Sequence, residues 1–159
     1  MRTDTSRIVV EQLAEADVAA ARELIVACLA ERWNRYEARF NPDLETFPAA
    51  YAGSVILVAK VDGVLLGTGI LKPCVRGSAE IVRMSVSADH RRCGVGSRIL
   101  DALLREACRR GCRRVILETT RTWTDAVAFY RARGFMPTEV RDGNQYFVLI
   151  PGESNETTV

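Results

Sequence analysis

A chain of 159 residues, 48% hydrophobic and 26% charged, has the size and composition of one globular domain with a substantial core. Its net charge of +2 is too small to argue for a nucleic-acid partner. The best apolar run, residues 64–71, contains two glycines and stops at Lys72-Pro73, so no membrane span is expected.

Residues 1–6 lack the apolar segment of a secretory signal, which makes a cytoplasmic location the expectation. Lys60 and Lys72 are the lysines and the other basic side chains, His90 apart, are arginines. That skew reflects either a GC-rich genome or phosphate binding by guanidinium forks. Cys28, Cys74, Cys93, Cys108 and Cys112 are odd in number, with no C-x-x-C pair. With His90 as the lone histidine, neither a disulfide framework nor a metal site is expected, and the thiols should be reduced.

In chain order, residues 6–11 read as a strand centred on Ile8, Val9 and Val10. Residues 14–32 read as a helix, with Val18, Ala21, Ile25, Cys28 and Leu29 at helical spacing. Residues 33–53 are irregular, broken at Asn41-Pro42-Asp43 and Phe47-Pro48. The aromatics there (Trp33, Tyr36, Phe40, Phe47, Tyr51) either line a pocket or cover the core. Residues 54–61 and 64–71 form a hairpin about the Asp62-Gly63 turn. A strand follows over 79–86. After Gly94 and Gly96 comes a helix with Val95, Ile99, Leu103 and Ala107 on its apolar stripe and Gly111 as its stop. Residues 115–119 read as a buried strand, 124–133 as a helix, and 145–150 as a last strand. The expected organisation is a single domain over 1–150 with a flexible tail over 151–159.

The chemistry concentrates in His90-Arg91-Arg92-Cys93-Gly94-Val95-Gly96-Ser97, between a strand and a helix. Two residues without Cβ let a ligand approach the backbone. The free amides of a helix start, backed by its dipole, seat phosphate well, and Arg91 and Arg92 add positive charge. A diphosphate is the natural ligand, although a G-x-G step is also compatible with a mere tight turn. The segment is not a Walker loop, since no G-K-S or G-K-T follows. Nor is it a dinucleotide fingerprint, because Ile99 stands where the third glycine would be.

Here the chain resembles the GNAT superfamily of N-acetyltransferases. That family's central motif runs Gln or Arg, two residues, Gly, one residue, then Gly or Ala. Arg91, Gly94 and Gly96 fill it. Glu80-Ile81-Val82-Arg83-Met84-Ser85-Val86 is similar to the family's fourth strand, and Ala126, Tyr130, Gly134 and Phe135 fill its A-x-x-x-Y-x-x-x-G-F segment. The match spans about residues 79–137. It implies an α/β GNAT fold: a mixed, mostly antiparallel sheet of six to seven strands, splayed at the fourth and fifth, with about four helices.

The resemblance further implies transfer of acetyl from acetyl-CoA to a primary amine. The pyrophosphate would sit on the amides of Arg92, Cys93, Gly94, Val95, Gly96 and Ser97 beside Arg91, and the pantetheine arm along Met84, Ser85 and Val86. An amide of Met84 or Val86 would polarise the thioester carbonyl. Tyr130 would protonate the departing thiolate; its bland alternative is a core tyrosine. Glu80 is the candidate base, since it precedes Arg91 by the spacing of the catalytic glutamate in the histone-acetyltransferase branch. Strand alternation puts it on one face with Val82, Met84 and Val86. An exposed surface charge, Glu118 or ordered water are the alternatives. Cys93 and Cys74 are bystanders, lacking a histidine partner. Trp123 replaces an asparagine that bonds the coenzyme in many members, so that contact is lost or the indole stacks on the coenzyme. A small-molecule amine is the favoured acceptor. A non-catalytic acyl-CoA sensor and a protein N-terminal or lysine acetyltransferase are the alternatives. Family members often dimerise, which leaves a homodimer open.

Overall fold

A computed structural model describes residues 4–152. The chain runs β1 (Val9–Gln12), α1 (Val18–Trp33), α2 (Pro42–Glu45), β2 (Val55–Val61), β3 (Val64–Leu71), β4 (Ser78–Val86), α3 (Val95–Arg109), β5 (Arg114–Thr120), α4 (Thr124–Ala132), β6 (Met136–Arg141) and β7 (Asn144–Leu149). Short 3₁₀ turns fill several of the links. The seven strands form one sheet in the order β1-β2-β3-β4-β5-β7-β6. β4 and β5 are its one parallel pair among the described residues, and all other neighbours are antiparallel.

Most sequence expectations hold within a residue or two, and the departures have local causes. The first strand starts at Val9 because residues Thr5–Arg7 form a 3₁₀ turn. α1 starts at Val18 because Glu15–Asp17 close another, with the Asp17 amide donating to the Ala14 carbonyl at 2.9 Å. Its Asp17 carboxylate does not cap the helix; it accepts from Lys60 Nζ at 2.6 Å instead. The expected tail is described only at Pro151 and Gly152; residues 153–159 lie outside the described part.

The sheet separates two cores. On one face α3 presents Val95, Ile99, Leu103 and Ala107, all at most 1% exposed, to Ala79, Ile81, Val115 and Leu117. Tyr130, Phe135 and Phe147 extend this cluster toward α4. On the other face Ala21 and Ile25 of α1 and Leu44 of α2 pack with Phe47, Val58 and Ile70, and Tyr36 and Tyr51 lie against them. Much of the aromatic segment therefore covers the core, while Trp33 and Phe40 stay exposed.

Close approach of α3 to the sheet depends on two glycines of β3. A Cβ on Gly69 would stand 2.6 Å from Ile99 Cγ2 and from Met84 Sδ, and one on Gly67 would stand 2.7 Å from Val95 Cγ1. Ile99 Cγ2 sits on a β-branched carbon and cannot swing away without moving the helix. Gly69→Ala is expected to lower stability by about 1–3 kcal/mol through overpacking. An unchanged urea midpoint would show that the helix gives way freely.

Candidate active site

β4 and β5 pair over three positions, Ser78–Arg114, Ala79–Val115 and Glu80–Ile116. Past Glu80 the strands separate, so the β5-facing edge of β4 from Ile81 to Val86 has no strand neighbour. A bulge on the other edge sharpens the departure. Val82 pairs with Ile70 and Ser85 with Thr68, so Arg83 and Met84 together oppose Gly69. Arg83 takes φ +53, a left-handed position that such bulges ordinarily give to glycine.

The bulge overturns the simple alternation expected for β4. Val82 packs in the α1–α2 cluster, whereas Met84 and Val86 pack in the α3 cluster. Glu80 shares a face with Val82 but not with Met84 or Val86. It is half-buried at the last pair before the strands part, and its carbonyl accepts from the Lys72 amide. By the β5 register Glu118 lies on the same face, one pleat further along, opposite Tyr146 and exposed.

At the far end of β4 the glycine segment turns into α3. Arg92 and Gly94 adopt φ +61 and +84, and Gly94 is the N-cap. The amides of residues 93–97 have no hydrogen-bond acceptor among the described residues; the ladder begins with Arg98 N to Gly94 O at 3.1 Å. They are the orphan donors of a helix start. Gly96 lies between Val86 and Phe129, and a Cβ there would make only ordinary contacts of 3.5 and 3.6 Å. Val95 contributes only its amide, since its side chain is buried. Ser97 is half-buried, as is Cys93, whose thiol turns to the Arg91 carbonyl at 3.6 Å. Arg91 is not a free charge: its guanidinium grips Glu31 of α1, with Nη2–Oε2 at 2.9 Å. Arg92 is exposed and forms no ion pair among the described residues.

Tyr130 comes from α4 and is 8% exposed, ringed by Phe129, Phe135 and Phe147 at centroid distances of 5.2, 5.8 and 6.1 Å. Burial pushes its phenol well above the ordinary range, against a smaller opposing pull from Arg32. Such a hydroxyl keeps its proton at neutral pH and is a donor, not a base.

The last turn of α1 ties the two sides of the gap together, an arrangement the sequence did not disclose. Glu31 holds Arg91 in the loop between β4 and α3. Arg32 forms two 2.7 Å bonds to Asp125 in the first turn of α4. Trp33 packs against Trp123 with ring centroids 5.3 Å apart and the planes tilted by 56°, and the Arg32 guanidinium lies 4.9 Å from the Trp123 ring centre. The Trp123 indole is thus occupied by α1. Cys28, one turn earlier, donates to the Val86 carbonyl at 3.4 Å, and burial pushes its thiol up. All five cysteines are free, and no group of three metal-ligating side chains occurs among the described residues. Nor is any described helix long and apolar enough to cross a membrane.

The parted parallel strand pair, the bulge in β4 and the free helix-start amides together mark the candidate site. The family model for the acetyltransferase (GNAT) family matches residues 18–135, and the chain belongs to that family. It is accordingly an acyltransferase, an N-acetyltransferase enzyme. The sequence matches no curated protein. Among solved structures, a GNAT-family acetyltransferase of Staphylococcus aureus Mu50 is similar with TM-score 0.80 at 18% identity, over 90% of this chain and 98% of that one. The PaiA N-acetyltransferase of Thermoplasma acidophilum, solved with coenzyme A, gives 0.77 at 15% identity, over 90% and 98%. The ribosomal-protein-S18-alanine N-acetyltransferase of Escherichia coli gives 0.74 at 21% identity, over 96% and 99%. At these identities the likeness is one of fold.

Proposed function

We propose that the enzyme transfers acetyl directly from acetyl-CoA to a primary amine, with a small molecule as acceptor. The observation that carries the reading is the pair of unsatisfied backbone features in one strand-loop-helix unit, the bare amides of 93–97 and the β5-facing edge of β4 beyond Glu80. Diphosphate is held by the former, with Arg92 beside it. The pantetheine arm pairs with backbone of Met84, Ser85 and Val86, and an amide of Met84 or Val86 meets the thioester carbonyl as negative charge develops there. Tyr130 gives its proton to the leaving sulfur. The acceptor ammonium, with a pKa near 10, must lose a proton before attack. Glu80 is assigned to that step, directly or through water, with Glu118 next on the same face.

Arg32–Asp125 and Trp33–Trp123 tie α1 to α4, and a restraint of that kind favours a small acceptor over an extended peptide. Five free thiols suit a reducing cytoplasm. Thiol release from acetyl-CoA, measured against small amines and against peptides with free N-termini or lysines, tests the reading. Turnover with a small amine, with one acetyl group gained on its nitrogen by mass spectrometry, is the expected result. Turnover with peptides alone would overturn the acceptor assignment, and no release with any amine would overturn the transfer.

A further inference from the structure

Arg83 is held from several directions at once. Its guanidinium straddles the Asp43 carboxylate, Nε to Oδ2 at 2.9 Å and Nη2 to Oδ1 at 2.7 Å, and Nη2 also donates to Asn41 Oδ1 at 3.1 Å. The Tyr51 hydroxyl donates to the same carboxylate. Across the ladder, Thr68 Oγ1 donates to the Arg83 carbonyl at 3.1 Å. The Arg83 and Asp43 side chains are only 20% and 23% exposed, so water competes weakly for these bonds. Burial alone would raise the Asp43 carboxyl, yet the Arg83 and Tyr51 hydrogen bonds bring it below its ordinary value. It stays ionised at neutral pH.

The placement matters because of what β4 lacks there. A strand interior is normally fixed by ladders on both edges, and β4 at its bulge has only β3. A left-handed non-glycine residue persists only where its surroundings over-determine it. The side chain of Arg83, anchored on residues 41–51, supplies the restraint that β5 has given up.

We infer that Arg83 is a positioning residue, and that the Arg83–Asp43–Tyr51 clasp fixes the β4 bulge so that its following amides hold the thioester carbonyl in register for attack. The inference rests on the reading of the parted strands as the thioester site. It also makes the acceptor-side segment 41–51 part of the machinery that orients the acetyl group.

Arg83→Gly is the discriminating variant, because glycine takes φ +53 without strain and keeps the bulge while losing the clasp. Asp43→Asn keeps the shape and removes the charge, and it carries the test if the glycine variant does not fold. Acetyl-transfer kinetics, calorimetric titration with coenzyme A and thermal melts are measured on each full-length protein. The expected result is a kcat lower by about 10- to 100-fold, the cost of a small misplacement of the reacting centre. Coenzyme affinity should stay within about twofold, and Arg83→Lys should recover part of the loss because it restores charge without the fork. A kcat within about twofold of wild type in the clasp-deleted protein overturns the inference, as does a parallel loss of kcat and coenzyme affinity. If the wild-type protein itself neither binds coenzyme A nor transfers acetyl, the reading of the site falls instead.

Discussion

Replacing Gly94 by valine is expected to weaken coenzyme A binding by at least about 100-fold while leaving a folded protein. Gly94 holds φ +84 as the N-cap of α3. A left-handed L-residue costs about 1–2 kcal/mol, and a β-branched one has a still poorer fit. The local chain relieves that strain by rotating the peptide planes on either side. Rotation re-aims the amides of 93–97. A hydrogen bond to a charged group contributes about 1.5–3 kcal/mol, so losing two of them accounts for the expected change. Fold loss is not expected, since the core contacts at this helix start are those of the Val95 and Ile99 side chains, which the substitution leaves in place. Isothermal titration with coenzyme A, paired with a melt of the unliganded protein, reads both quantities. A dissociation constant within about tenfold of wild type would mean that the phosphates sit elsewhere. Gly96→Ala is the contrast, because its Cβ meets only ordinary contacts within the protein.

Tyr130→Phe should lower kcat by about 100- to 10,000-fold, the usual contribution of a positioned general acid, with coenzyme binding unchanged. The ring itself is structural: it packs edge-on against Phe129 and Phe135, and phenylalanine preserves those contacts and the melting temperature. Only the hydroxyl is removed. Because burial raises the phenol pKa, the donor form persists through the neutral range and is lost only in strong alkali. Tyr130 therefore imposes no falling limb on the pH–rate profile near neutrality. A leaving thiol has a pKa around 8.5, so protonation assists its departure under the same conditions. If kcat of the variant stays within about threefold of wild type, water or another group protonates the sulfur and Tyr130 is simply core.

The parts of the fold read most directly from sequence were those governed by short-range rules. Asp62-Gly63 announces its hairpin, and the backbone obeys with φ +51 and +79. The same signal was missed at Asp142-Gly143, where φ +51 and +78 close the β6–β7 hairpin. β6 escaped because all six of its residues are exposed, so it shows no alternation between core and solvent. Pro137 in its second position disguised it further, although an edge strand tolerates proline. Among candidate-site residues, Gly94, Gly96 and Tyr130 stood out in the sequence because residue type and spacing point to them. Arg83 was not. Nothing in an arginine advertises a left-handed backbone, and its partners Asp43 and Tyr51 lie far away in the chain. The pairing of Arg91 with Glu31 was hidden for the same reason, and it leaves Arg92 as the accessible charge by the glycines.

The division of the core by the sheet has a consequence for redesign. Under the proposed reading the coenzyme lies against the α3–α4 half and the acceptor against the α1–α2 half. A graft exchanging residues 33–53 for those of another acetyltransferase would leave the donor half intact, yet it would also remove Asp43 and Tyr51 from Arg83. Engineering a new substrate into this scaffold is therefore a problem of keeping two anchors while rebuilding everything around them.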